Sequence, residues 1–568
     1  MLLSTGGATS ASFGGRGEGL PASNLDETQW SPGARVGADP PVAAVAGGQR
    51  CPSDLITKGP YGMSLSLAAI LSESASRYPD RDAVVMGPQR IGYATLWQES
   101  RRYAAVLRER GVGPGDRVAL LLPNVPDFPR VYYAVLSLGA VVVPVHALLV
   151  AREIGFVLTD SQATLLVAAG PLLAQGLPGA EQAGVPVLAV LGGPEGVDRL
   201  DLLAADVEPI RTYVQREPSD EAVILYTSGT TGSPKGAVLT QLNMAMNAMI
   251  SATTVLDLAP EDVILGCLPL FHSFGQTCSM NAGFYAGSTL VLLPRFDGAA
   301  ALELIVGESV NVFMGVPTMY IGLLAAARED ERRPVLRRAV SGGASLPVAV
   351  IDAFKRVFEA DIYEGYGLSE TSPVATFNQA VFGRKPGTVG RAIWGTEAEI
   401  ADPAIEDRIA LLPQGEVGEV VLRGHNIFAG YLNNPQATAA AVVDGWFRSG
   451  DLGVKDADGF LSIVDRKKDL IIRGGFNVYP REVEEVLASH PGIAQVAVVG
   501  VPDATHGEEI CAVVVRSPEG QDLDADTLMT WSREKLGRHK VPRRVEFVET
   551  LPLGPSGKIL KRELIKQL

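Results

Sequence analysis

Cysteine is scarce in this chain. There are four in 568 residues, Cys51, Cys267, Cys278 and Cys511, and none share CxxC spacing. That excludes a disulfide framework and a cysteine zinc site, and it suits a reducing cytoplasm, where the protein is expected. No Gly-x-x-x-x-Gly-Lys-Ser/Thr string occurs, so a kinase or NTPase of the P-loop type would lack its phosphate cradle. Positive charge is also short. Lys and Arg total 49 against 64 Asp and Glu, a formal net charge of -15. Such a surface repels nucleic acid phosphate, so no nucleic-acid partner is expected. Anionic small molecules must be held by local basic groups and backbone N–H groups. The opening MLLSTGGATS has neither a basic n-region nor an apolar core, so no signal peptide is expected. Long hydrophobic runs are nearly absent. Val131 to Ala151 carries no Asp, Glu, Lys or Arg, but Gly139, Pro144 and His146 interrupt it. It predicts a buried helix (VYYAVLSLGA) followed by a buried strand (VVVPV), with no transmembrane span.

What is present is globular. Hydrophobic residues make up 46% and charged residues 20%, and the length exceeds one ordinary core. Residues 1–60 are rich in Gly, Ala, Ser and Pro without apolar periodicity and read as a flexible tail. From Ser64 amphipathic helices alternate with short apolar runs such as RVALLLPN, ATLLVAA, AVILYTSG and NVFMGVP. This predicts an α/β fold with largely parallel, buried strands in several layers. Between about 388 and 464 the texture turns β-rich, with AEIAD, RIALL, GEVVLRG, WFRSGD and FLSIVD as short strands. After Asp465 a smaller α+β unit is predicted, with PREVEEVLASH and LMTWSREKLG as helices and QVAVVGV, ICAVVVRS and RVEFVE as strands. The expected domains are therefore 61–464 and 465–568, joined at the polar run DRKKD.

Chemistry concentrates in Tyr226-Thr227-Ser228-Gly229-Thr230-Thr231-Gly232-Ser233-Pro234-Lys235-Gly236, directly after the apolar strand AVILY. A loop this rich in Gly, Ser and Thr offers N–H groups and hydroxyls to phosphate oxygens, and Lys235 adds positive charge. The string closely resembles the phosphate-binding loop of the adenylate-forming (AMP-binding) superfamily, which includes acyl-CoA synthetases, aryl-CoA ligases, luciferases and nonribosomal adenylation domains. The resemblance extends from about Ser64 to the C-terminus, with further motifs in the family's order.

Pro269-Leu270-Phe271-His272-Ser273 resembles the segment whose histidine lies beside the acyl pocket. Amino-acid-activating members commonly carry aspartate where His272 stands, so the resemblance argues against an α-amino acid. Ser341-Gly342-Gly343-Ala344 is similar to a segment lining the nucleotide, which implicates Gly343 and Ala344. Tyr363-Glu364-Gly365-Tyr366-Gly367-Leu368-Ser369-Glu370-Thr371 resembles the family's Tyr-Gly-x-Thr-Glu motif. It implies that Tyr366 stacks on adenine, Glu364 and Gly365 line the base, Ser369 approaches the α-phosphate beside Gly367, and Glu370 holds Mg²⁺. Ser449-Gly450-Asp451 resembles the segment whose aspartate accepts from both ribose hydroxyls. Asp465-Arg466-Lys467-Lys468-Asp469 resembles the hinge, with Arg466 on ribose or phosphate and Lys468 as the pivot of a mobile small domain. Gly474 and Gly475, in Arg473-Gly474-Gly475-Phe476, match the strand that faces the pantetheine arm of coenzyme A. Ser556-Gly557-Lys558 resembles the final motif, whose lysine acts at the α-phosphate. Gln241 departs from the family, where many members have His.

The resemblance implies an AMP-forming acid–thiol ligase. ATP and coenzyme A are its co-substrates and Mg²⁺ its cofactor, with Lys558, Glu370 and His272 as catalytic residues. The segments around 267–285, 314–320 and 363–378 are mostly small or apolar. They favour a medium- or long-chain fatty acid, with aryl-CoA ligase as an alternative. A further alternative is an acyl-AMP ligase serving a separate acyl carrier protein. A light-emitting monooxygenase shares the fold, and a non-catalytic acyl-binding module would not need every one of these positions.

Overall fold

The computed structural model describes residues 64–568 except 228–233, Glu331, Ala504 and 555–558. The expected tail 1–60, the loop residues Ser228, Gly229, Thr230, Thr231 and Gly232, and Lys558 lie outside the described residues.

Among the described residues, strand pairing makes four sheets. Two form the large α/β part. In one, Leu165–Ala169, Arg117–Leu121, Val141–Pro144 and Glu221–Thr227 lie side by side and parallel. Lys235–Thr240 then pairs antiparallel with Glu221–Thr227 across the phosphate-loop motif, Thr227 opposite Lys235. The central strands are buried at nearly every position. That burial on both faces is why they read as continuous apolar runs. In the second sheet Val263–Gly266, Thr289–Leu292, Val312–Gly315, Arg338–Ser341 and Ile362–Gly367 run parallel, and Val374–Phe377 and then Arg391–Ala392 continue it antiparallel to one edge. One continuous core spans both sheets and the helices between them.

The charge-free stretch resolves as expected into a buried helix, Asp127–Ser137, and the buried strand Val141–Pro144. Among the described residues no helix is long and apolar enough to cross a membrane. The three described cysteines are free and buried.

The β-rich part is an antiparallel sheet of Thr396–Ala401, Gly418–Gly424, Trp446–Lys455, Val442–Val443 and Leu461–Arg466. RIALL does not become a strand. Leu411 makes a single bridge to Ala401, the Ile409 N–H donates to the Asp444 carboxylate at 2.9 Å, and Pro413 follows. The strand Leu461–Arg466 keeps pairing to Asp451↔Arg466, two residues past the expected boundary. A separate small sheet then joins Ile471–Arg473, Phe476–Val478, Ile493–Asp503, Gly507–Arg516 and Arg544–Phe547. Helices Pro480–Ala488 and Ala525–Arg533 pack on it through Val483, Leu487 and Leu528, which share its own core. Pro480 stands at the first helical position, where its missing N–H costs nothing.

Candidate active site

A cavity of about 1660 Å³ opens at the C-terminal ends of strands Glu221–Thr227, Arg338–Ser341 and Ile362–Gly367. This is where open parallel sheets commonly bind ligands. Motifs hundreds of residues apart converge on its wall. Thr227, Lys235, His272, Gly343, Ala344, Gly365, Tyr366, Gly367, Ser369, Glu370, Asp451, Arg466 and Lys468 all line it. Glu364, Gly474 and Gly475 are not among the lining residues.

The nucleotide motif is held by its own backbone. Strand Ile362–Gly367 ends in a short turn at Ser369–Thr371. At Gly367 any Cβ would overlap the Pro373 carbonyl, so no other residue fits there. The Tyr366 hydroxyl donates to Asp451 Oδ2 at 2.7 Å, and Arg466 Nε lies 3.3 Å from Asp451 Oδ1. Burial, then the Asp451 charge, pushes the Tyr366 hydroxyl well above its ordinary pKa, so it stays a donor. Three motifs, at 366, 451 and 466, thus form one unit joined by a hydrogen bond and an ion pair.

Glu370 is buried, and the Tyr431 hydroxyl donates to its Oε1 at 2.8 Å. The Lys235 ammonium lies 5.2 Å from the centre of the same Tyr431 ring. Tyr431 therefore connects the two motifs that would face phosphate. Sequence reasoning missed it, because Phe428-Ala429-Gly430-Tyr431 carries no pattern beyond an apolar turn. His272 Nδ1 accepts from the Phe274 N–H at 3.2 Å, which leaves the proton of the neutral ring on Nε2.

The Glu364 carboxylate accepts the Gly387 N–H at 2.9 Å. Burial pushes its pKa up to about 7, partly offset by that N–H and by Arg481 and Arg384. Arg481, in the first turn of helix Pro480–Ala488, lines the cavity. Its backbone N–H donates to Asp465 Oδ2 at 2.9 Å and its guanidinium to the Ile463 carbonyl. Lys561 also lines the cavity. Burial disfavours its charge, but Glu484 at 2.7 Å and Asp465 outweigh that and raise its pKa. Neither cation was legible as a site residue, since the acids that balance them are brought there by folding. Lys468, in the turn closed by the Asp469 N–H on the Arg466 carbonyl, is held below its usual pKa by burial and by Arg466.

Among the described residues no group of three or more acidic, His or Cys side chains could hold a metal alone. Of the buried carboxylates on the wall, Asp451 accepts from Tyr366 beside Arg466 and Asp465 accepts the Arg481 N–H, whereas Glu370, among the described residues, meets only the Tyr431 hydroxyl. It suits Mg²⁺, which commonly takes one or two carboxylates and completes its shell with phosphate oxygens and water.

Comparison with known proteins fits this geometry. The family pattern described as AMP-binding enzyme matches residues 71–432, and that described as AMP-binding enzyme C-terminal domain matches 482–558. A long-chain-fatty-acid–CoA ligase of Bacillus subtilis is 34% identical over 88% of this chain and 94% of its own length. A feruloyl-CoA synthase of an Amycolatopsis species is 38% identical over 86% of this chain and 96% of its own. Among solved structures, ATP-bound MatB from Rhodopseudomonas palustris superposes with a TM-score of 0.79 at 32% identity, covering 88% of this chain and 98% of its own.

Proposed function

Because the chain belongs to the AMP-binding enzyme family, we propose that it joins an apolar carboxylic acid to coenzyme A through an acyl-AMP intermediate. It is an AMP-forming acid–CoA ligase. The observation that carries the reading is the convergence of Lys235, Glu370 and the Tyr366–Asp451–Arg466 unit on one cavity.

A carboxylate does not react with a thiol, because oxide is a poor leaving group. In the first half-reaction a carboxylate oxygen attacks the α-phosphorus of ATP, the α–β bridging bond breaks, and pyrophosphate leaves. Tyr366 and Asp451 fix the adenosine, Asp451 by accepting from the ribose hydroxyls. The 226–236 loop, Ser369 and Lys558 supply donors and positive charge where negative charge grows. Mg²⁺ held by Glu370 supplies further neutralisation of phosphate charge. His272 bounds the acid's end of the site. In the second half-reaction the thiol of coenzyme A attacks the acyl carbon, AMP leaves with the bonding pair, and the thiol proton passes to solvent or phosphate. Lys558 has no task there. Rotation of the 465–568 domain about Lys468 withdraws it and brings Gly474 and Gly475 to the pantetheine arm.

The wall favours an apolar acid. Phe274, Ile321, Leu324, Ala349, Val350 and Leu368 line the same cavity as His272. Relatives named for long-chain fatty acids and for ferulate are about equally similar, so fatty and aryl acids stand together as the class. The test is pyrophosphate release with a medium-chain acid, a long-chain acid, benzoate, ferulate, malonate and an amino acid. Turnover is expected with one or more of the first four. Turnover confined to malonate or the amino acid would overturn the reading.

A further inference from the structure

His146 stands just past the strand Val141–Pro144, on the wall of the cavity. Its strand runs parallel to Glu221–Thr227 with Val142 opposite Val223. His146 and Thr227, each at the C-terminal end of its strand, line the same cavity. The residues that follow, Leu149 and Glu153, line the cavity together with Thr227, Pro234 and Lys235.

The imidazole is fixed in one form. Its Nδ1 accepts the Leu148 N–H at 2.9 Å, so the ring proton is on Nε2. Burial lowers its pKa to about 4, which keeps the ring neutral at physiological pH. The Nε2–H is itself buried and has no hydrogen-bond partner among the described residues. A buried donor without an acceptor is costly and rare, and a bound ligand is one of the things that explains it. The ring packs at 4.2 Å against Phe271, the neighbour of His272 and itself a wall residue. Packing explains why an aromatic ring is here. It does not explain why that ring carries a shielded N–H aimed at nothing.

We propose that His146 is a nucleotide-contacting residue whose Nε2–H donates to a phosphoryl oxygen of bound ATP. A neutral donor there binds oxygen without adding charge, while Lys235 supplies the charge. The inference rests on the proposed ATP site, on the side of the cavity lined by Thr227, Pro234 and Lys235.

The test uses the full-length chain and three variants. His146→Phe keeps a ring against Phe271 and removes the donor. His146→Ala removes both, and serves if the Phe variant does not fold. His146→Gln restores an N–H. AMP formation is measured with ATP varied and then with the acid varied, alongside calorimetric ATP binding and the melting temperature. The expected result is that His146→Phe loses about tenfold in kcat/KM for ATP and weakens ATP binding similarly. Its KM for the acid and its melting temperature should hold, and Gln should recover most of the loss. Wild-type ATP kinetics in the Phe and Ala variants would overturn the inference. So would an effect on the acid alone, or a Gln variant no better than Phe. Calorimetry separates the two failures. A wild-type chain that binds ATP but forms no AMP defeats the proposed reaction and leaves His146 open to the binding test, whereas one that binds no ATP defeats both.

Discussion

Glu364 stands two residues before Tyr366, with its carboxyl buried and held at about 7. In the unfolded chain the same group titrates near its ordinary value of 4.5. Between those two pH values the folded protein keeps a proton that the unfolded chain has released. Stability from this site is therefore complete below about pH 4.5 and falls as pH rises through about 7. Glu364→Gln keeps an acceptor for the Gly387 N–H and removes the titration. It should raise stability at pH 8 by up to about 3 kcal/mol and change it little at pH 4.5. Melting curves of both proteins at the two pH values check this, and an equal shift at both would refute it. Lys558 makes a sharper chemical prediction. Its neighbours Ile559, Leu560 and Lys561 line the cavity. Lys558→Ala should lower adenylation about a hundred- to a thousandfold, because in that step negative charge grows on the oxygens of the attacked α-phosphorus and on the leaving pyrophosphate, where the ammonium is proposed to act. Thioester formation from supplied acyl-AMP should stay within a few-fold. Equal loss in both half-reactions with an unchanged melting temperature would end that division of labour. At this scale the sequence discloses residues that carry a motif, such as Tyr366 and Asp451, whose 2.7 Å contact joins two motifs 85 positions apart. It conceals residues such as Tyr431, Arg481 and His146, whose importance comes from a partner, or a missing partner, that only the folded chain reveals.

The turn Arg466 to Asp469 links the last strand of the β-rich sheet to the small sheet that follows. Lys468→Pro would lock φ near the value of a proline ring and stiffen the turn. The thiol step should suffer more than adenylation, since in the proposed cycle only the former needs the small domain to turn. Assaying pre-formed acyl-AMP with coenzyme A isolates that step, and unchanged turnover there would remove Lys468 as the pivot. Elements were easiest to read where burial is two-sided. VVVP and LLVAA are buried at every residue and appear as unbroken apolar runs. They were hardest where a short apolar run sits at a sheet margin. RIALL has the composition of a strand, yet Leu411 is 52% exposed and only one bridge forms. The bridge is held by the Asp402 N–H on the Ala410 carbonyl and the Leu412 N–H on the Ile400 carbonyl, both at 2.8 Å, and the pairing goes no further. The Ile409 N–H, on the other edge, is taken by the Asp444 carboxylate.

On the scale of the molecule, a chain with a net charge of -15 must bind substrates that are themselves anions. The structure places Lys235, Arg466, Lys468, Arg481 and Lys561 on the wall of one cavity, alongside carboxylates that include Glu370, Asp451, Asp465 and Glu484. Around Arg481 and Lys561 the balancing carboxylates Asp465 and Glu484 come from the same few elements. The central claim is that ATP is split between its α- and β-phosphates to activate an acid for transfer to a thiol. The most direct measurement is the nucleotide and thioester stoichiometry with a cognate acid, coenzyme A and ATP labelled at the α-phosphate. One AMP and one pyrophosphate per acyl-CoA formed is the predicted result. Label recovered as ADP in proportion to thioester would contradict it.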